Sequence, residues 1–389
     1  MKLFAAIGSP LRFPLFLTCG LILNSCGASS QKKSWLAEAW NKANEPRLLS
    51  GSVEFSWDKL PLNGAANQKG WSDDYWATFQ GGISYRWMTQ DFGYPLTTVE
   101  TLQGELLNQL SPAEKYDVFM ERLDFPTVAA ERRRTKIMKT VPGSADFKEG
   151  FTIPTWEGLC HGWSQAAFNF KEPIKPVSVK TSVGALTFYP SDIKALLTYY
   201  QQYKDNGSTR ETKVSNRCEV NFAVLDERLE KGEITKDEWT QLRDSDDCAD
   251  INAGSFHLIL ANEIGRKKQG FVIDVTRDIE VWNQPVNSYE SKVTSDSKEV
   301  GATAAAGTVR ELTLETSMVY TVESDSSMEA IGSLEETKTY QYILELDSNN
   351  HIIGGRWISD DRPDFIWRQS KPNFRGYFTK LKSLYDKAL

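Results

Sequence analysis

Histidine is scarce in this chain: 389 residues contain three, at positions 161, 257 and 351. A catalytic imidazole must therefore come from a short list. Basic charge is also in deficit, with 45 Lys and Arg against 52 Asp and Glu and a formal net charge of −7, which argues against a nucleic-acid partner. No internal repeat is apparent. The apolar run from Phe13 to Leu23 is too short to cross a bilayer.

That run follows Lys2 and Arg12, so residues 1–25 read as an export signal and are set aside from the fold. Leu23-Asn24-Ser25-Cys26-Gly27 resembles the bacterial lipobox, which makes Cys26 the expected lipid anchor; an ordinary cleavable signal ending near Ala28 is the alternative. Either way the protein is expected outside the cytoplasm, lipid-anchored to the bacterial outer membrane or cell surface, or otherwise secreted. Residues 26–34 are small and polar, as a tether should be. The chain then divides into a catalytic region over 35–290, a flexible Ser, Ala and Gly-rich loop over 291–308, and a C-terminal β-rich part of the same fold over 309–389.

Five cysteines are present. Cys19 lies in the signal and Cys26 is the anchor candidate. In an oxidising compartment Cys218 and Cys248 are natural disulfide partners, which leaves Cys160 as an unpaired thiol. Gly158-Leu159-Cys160-His161-Gly162-Trp163 places that thiol at the start of an expected helix over 160–170, where the dipole favours thiolate and backbone N–H groups can hold an oxyanion.

Further helices are expected from Ser111, where Ser111-Pro112-Ala113-Glu114 forms a capping box, and over 191–204, 218–231 and 235–243. Strands are expected over 183–188, 256–262 and 270–276, and a C-terminal antiparallel sheet over 310–323, 339–346 and 351–358, with a turn at Asp347-Ser348-Asn349-Asn350. The fold class is α+β, a helical part packed on an antiparallel sheet.

Elimination assigns the base. His161 adjoins Cys160 and points about 100° away from it on a helix; His351 follows a polar surface turn. His257 remains. If 256–262 and 270–276 form a hairpin closed at Gly265-Arg266, His257 stands opposite Asp274, and the pair completes a Cys160, His257, Asp274 triad; a longer turn would change that register. Trp156, Trp163 and Trp282 are candidates for walls of a substrate channel around Cys160, ordinary packing being the alternative.

Several segments together resemble the transglutaminase elicitor family: Val281-Trp282-Asn283-Gln284-Pro285-Val286, which follows Asp274-Val275-Thr276; Trp156 to Trp163; Phe256-His257 with Asn262; Gly354-Gly355-Arg356-Trp357; and Arg362-Pro363-Asp364-Phe365-Ile366-Trp367. The resemblance implies a papain-like fold and a protein-glutamine gamma-glutamyltransferase (EC 2.3.2.13), in which a thiolate attacks a glutamine carboxamide, releases ammonia and passes the acyl group to an amine. A papain-like cysteine protease or amidase is the rival reading. Expected partners are proteins carrying glutamine and lysine side chains, and the membrane through the N-terminal lipid. The sequence requires no cofactor. Calcium is implied by the resemblance, with Asp244, Asp246, Asp247 and Asp250 as a candidate oxygen-rich loop that matches no regular calcium spacing; a solvated acidic turn is the alternative.

Overall fold

The computed structural model describes residues 40–49, 51–96, 106–203, 209–243, 245, 248, 250–277 and 279–389. The expected signal, the Cys26 anchor and the tether lie outside these residues. The helices are α1 (Leu106–Gln109), α2 (Pro112–Phe119), α3 (Pro126–Thr135), α4 (Cys160–Asn169), α5 (Pro190–Tyr203), α6 (Phe222–Glu230), α7 (Lys236–Arg243), α8 (Ala253–Ile259) and α9 (Leu381–Ala388). The strands are β1 (Asn63–Ala65), β2 (Val177–Thr181), β3 (Gly184–Phe188), β4 (Glu211–Val214), β5 (Phe271–Asp274), β6 (Asn283–Ser297), β7 (Arg310–Thr321), β8 (Glu335–Leu346), β9 (Ile352–Trp357) and β10 (Ile366–Gln369).

An antiparallel sheet runs in the order β4-β10-β5-β6-β7-β8-β9, with β1 added to β6, while β2 and β3 form a separate hairpin. Two cores result. A helical core gathers around α2, α4, α5 and α9; Trp163, Ala166 and Ala167 of α4 and Phe170 at its C-cap recur at helical spacing and are all buried. The second core lies on the sheet and under α8, from Phe256 and Ile264 to Tyr342 and Leu344. Helix α4 packs against α5, where a side chain at Gly162 would strike the Thr198 carbonyl, and it also meets β5 and β6. The first residue of α4 therefore sits between the helical layer and the sheet.

The capping box at Ser111 forms as expected: Ser111 Oγ accepts from the Glu114 N–H, and the Glu114 carboxylate accepts from the Ser111 N–H. Cys218 and Cys248 form a disulfide. Two expectations are corrected. Strand β6 continues through Ser291 to Ser297, so the loop expected over 291–308 begins only at 298. More consequentially, 256–262 is not a strand. Asn252 accepts the Gly254 and Ser255 N–H groups and starts α8, which passes into a wider π-type turn over Leu260–Arg266. Every residue from Ala253 to Gly265 is buried; an element buried all round shows neither period, so periodicity could not choose between helix and strand. Gly254 lies against the backbone of Gly354 and Gly355, where a Cβ would come within 2.5 Å of the Gly354 carbonyl oxygen. This contact seats α8 on β9.

Candidate active site

The start of α4 has no side-chain cap. It is held instead by the Leu159 N–H, which donates to the Tyr75 carbonyl at 2.6 Å. Gly158 is required for closeness rather than for an unusual turn, since a Cβ there would meet the Tyr75 ring at 2.4 Å. Cys160 opens the helix and lines a cleft of about 450 Å³, together with Trp156, His161, Lys213, Arg217, Asn283 and Trp367.

The thiol donates to the Val281 carbonyl at 3.6 Å, and Asn283 Nδ2 lies 3.9 Å from Sγ. Asn283 is aimed by its other end, because Trp367 Nε1 donates to Asn283 Oδ1 at 2.7 Å. Burial pushes the Cys160 thiol up to about 11, helped by the Glu323 and Asp274 carboxylates and opposed by Asn283. This corrects the expectation of a thiolate favoured by the helix dipole: desolvation outweighs it, and the resting group is a thiol.

Asp274 ends β5 directly opposite Asn283 on β6. Its Oδ1 accepts from the Trp282 N–H at 3.0 Å and from the Thr276 N–H and hydroxyl at 3.2 and 2.9 Å. Its Oδ2 is buried with no hydrogen-bond partner among the described residues. Burial raises the carboxyl to about 7, against the lowering effect of those donors. Asp364 is a close neighbour: its N–H donates to the Asp274 carbonyl at 3.2 Å, and its Oδ2 accepts the Cys218 N–H at 2.8 Å.

His257 is not brought to this site. It projects from α8 into the second core, fully buried, with Nδ1 2.7 Å from the Tyr342 hydroxyl and its ring 5.7 Å from that of Trp57. The Tyr342 hydroxyl continues to Thr316, and Thr316 to Ser291. None of these residues lines the Cys160 cleft. Burial drives the imidazole down to about 3, with no charged neighbour contributing. The expected register, His257 opposite Asp274, fails because α8 replaces the strand it needed: Asp274 pairs with Asn283 instead.

The other two histidines do not substitute for it. His161 lines the cleft, stacked on Trp367 at 3.8 Å between ring centres, and burial with nearby Lys213 lowers it to about 4. His351 is exposed on the surface turn, as expected.

Of the three tryptophans expected around the thiol, Trp156 lines the cleft. Trp163 does not: it is fully buried in the helical core, with Nε1 donating to the Trp71 carbonyl at 3.2 Å. Its position three residues into α4 turns it inward. Trp282 serves Asp274 through its backbone, and its ring lies 6.1 Å from Tyr75. Sequence reasoning missed Asn283, Phe365 and Trp367 as site residues, although all three stand in the motifs quoted above; the signal was their membership in those motifs.

Of the calcium candidates, Asp244, Asp246 and Asp247 lie outside the described residues. Asp250 is buried and ion-paired with Arg277 at 3.2 Å and with Arg362, which does not suit a calcium ligand. Among the described residues no group of three or more His, Cys, Asp or Glu could hold a metal ion, and no helix is long and apolar enough to cross a membrane.

A helical layer on an antiparallel sheet, with a buried cysteine opening the helix between them, defines a mixed α+β protein. The transglutaminase elicitor family model matches residues 47–380, and the chain belongs to that family. Among solved structures, the GP42 transglutaminase from Phytophthora sojae is similar, with a TM-score of 0.59 and 24% identity over 90% of this chain and 98% of that one. No curated protein matches the chain.

Proposed function

We propose that this protein is a protein-glutamine gamma-glutamyltransferase that uses Cys160 as nucleophile and Asp274 as its proton acceptor, in a papain-like arrangement of helix and sheet. The observation that carries the reading is a protonated thiol and an aimed Asn283 amide lining one cleft, with a buried carboxylate, one of its oxygens unpartnered among the described residues, at the strand position paired with Asn283. A carboxyl near 7 is half ionised at neutral pH, which suits a general base.

The Cys160 proton passes to Asp274 as sulfur forms its bond to the glutamine carbonyl carbon. The Asn283 N–H group and the backbone at the start of α4 stabilise the oxyanion. The carbon–nitrogen bond then breaks, the leaving NH₂ recovers the proton from Asp274 and departs as ammonia, and a thioester remains. An amine resolves it. No step is routed through calcium.

Resolution by water, or attack on a backbone amide, would make the protein an amidase or protease, and one assay separates the readings. With a glutamine-containing protein and a labelled primary amine, the transferase incorporates label and releases ammonia, and both depend on Cys160. Backbone cleavage without incorporation would overturn the transferase reading. Lipid anchoring at Cys26 is proposed alongside it; labelled fatty acid retained by the parent and lost in Cys26→Ala would support it.

A further inference from the structure

A second cleft, of about 730 Å³, opens beside the first. The segment 75–79 runs between them: Thr78 lines the cleft described above, while Tyr75 and Phe79 line the second. The two differ in charge. The first mixes Arg134, Lys213 and Arg217 with Glu157 and Glu211. The second carries Asp74, Glu323 and Asp325, and its described lining holds no basic residue.

Its apolar walls are Phe79, Tyr85 and Trp87, whose faces accept an aliphatic stem and attract a cation. Glu323 is fixed in place by Gln284, whose Nε2 donates to both carboxylate oxygens at 3.1 and 2.9 Å. Gln284 is buried, 4% exposed, and its Oε1 has no hydrogen-bond partner among the described residues. The described lining therefore offers three carboxylates and no cation to pair with them. A primary ammonium is the complement, with three donors and no acceptor. Tyr75, which lines this cleft, accepts the N–H of Leu159 next to the nucleophile, and Gln284 follows Asn283 on β6, so the cleft adjoins Cys160.

We propose that this second cleft is the acyl-acceptor site: it takes a primary ammonium on an aliphatic stem, the lysine side chain of a protein, while the first cleft takes the glutamine. The inference rests on the transferase reading. The ammonium gives one proton to Glu323, and its lone pair forms the new bond to the thioester carbonyl carbon. The carbon–sulfur bond breaks, the second amine proton goes to the departing Cys160 sulfur, and Glu323 returns its proton to solvent. An isopeptide and a free thiol result.

The test compares two acceptors on Glu323→Gln and Asp325→Asn, with ammonia release from a glutamine peptide recorded throughout. Cadaverine is a cation at pH 7.5 and hydroxylamine is neutral. The KM for cadaverine rises about five- to tenfold in the variants while that for hydroxylamine holds, and added salt reproduces the difference in the parent. Cadaverine binding to Cys160→Ala protein, followed by titration calorimetry, weakens in the same order when either substitution is added. If ammonia release is normal and both acceptors shift alike or neither shifts, the acceptor site is wrong and the transferase reading stands. A parent protein that releases no ammonia overturns both.

Discussion

Of the polar centres buried in this molecule, those around Cys160 and His257 show by contrast what separates a reactive site from a structural one. Around Cys160, a thiol and an amide face a cleft, and a buried carboxylate with a free oxygen is paired across the sheet with the amide's residue. Around His257, an imidazole, a phenol and two hydroxyls form a chain sealed between α8 and the sheet. Both contain textually attractive catalytic residue types. Access and neighbouring charge distinguish them: Glu323 and Asp274 act on Cys160, whereas nothing but burial acts on His257.

The sharpest way to break the comparison is to substitute one residue from each centre. Cys160→Ala is expected to abolish label incorporation, and Asp274→Asn to lower kcat/KM by about 10²–10⁴. His257→Phe should leave kcat close to the parent's and cost about 1–3 kcal/mol of stability. Steady-state kinetics beside urea denaturation decides it; a His257 variant that folds normally and fails catalytically would restore the histidine to the site.

Removing the disulfide with Cys218→Ala and Cys248→Ala should cost about 3–4 kcal/mol for a loop of this length. Because the Cys218 N–H holds Asp364 beside Asp274, activity should fall further than the stability loss alone accounts for. Urea unfolding and kcat/KM measured on the same preparation read both effects, and full activity in the folded fraction would uncouple the bridge from the site.

Gly158→Ala tests how the thiol is placed. A methyl group against the Tyr75 ring should cost about 1–3 kcal/mol. It should also slow the modification of Cys160 by iodoacetamide or alter its pH dependence; an unchanged reaction would show that Tyr75 does not set the thiol's position.

A separate effect is in the pH dependence of stability, where the two centres have opposite signs. Asp274 has its folded pKa raised, to about 7, so its contribution is full below the unfolded carboxyl value near 4 and is lost as pH rises through 7. His257 has its folded pKa lowered, to about 3, so its contribution is full above about 6.5 and is lost as pH falls toward 3. Relative to the parent, melting temperatures of Asp274→Asn should fall less on going from pH 4 to 7, and those of His257→Phe should fall less on going from pH 6.5 to 3. Parallel curves for all three proteins would refute the assignment.

Local signals carried much of the architecture. Ser111 to Glu114 spelled out a helix start, the helix over 160–170 and the turn at 347–350 read correctly, and counting cysteines isolated Cys160. The failure at 253–266 has a physical cause: a helix surrounded by core presents no polar face, and its stop is a wide turn around Gly265 rather than a hairpin. That one error moved His257 into the triad. The rest of the site was hidden by distance along the chain, since Asn283 and Trp367 meet Cys160 only once β10, β5 and β6 have paired.

Trp367 links two points that the chain itself separates. One face of its indole stacks on His161, the residue after the nucleophile, and its N–H holds the amide that faces the nucleophile's sulfur. The helix end and the strand end are thereby hinged on a single ring, so a substrate that displaces the indole shifts the donor and the thiol together.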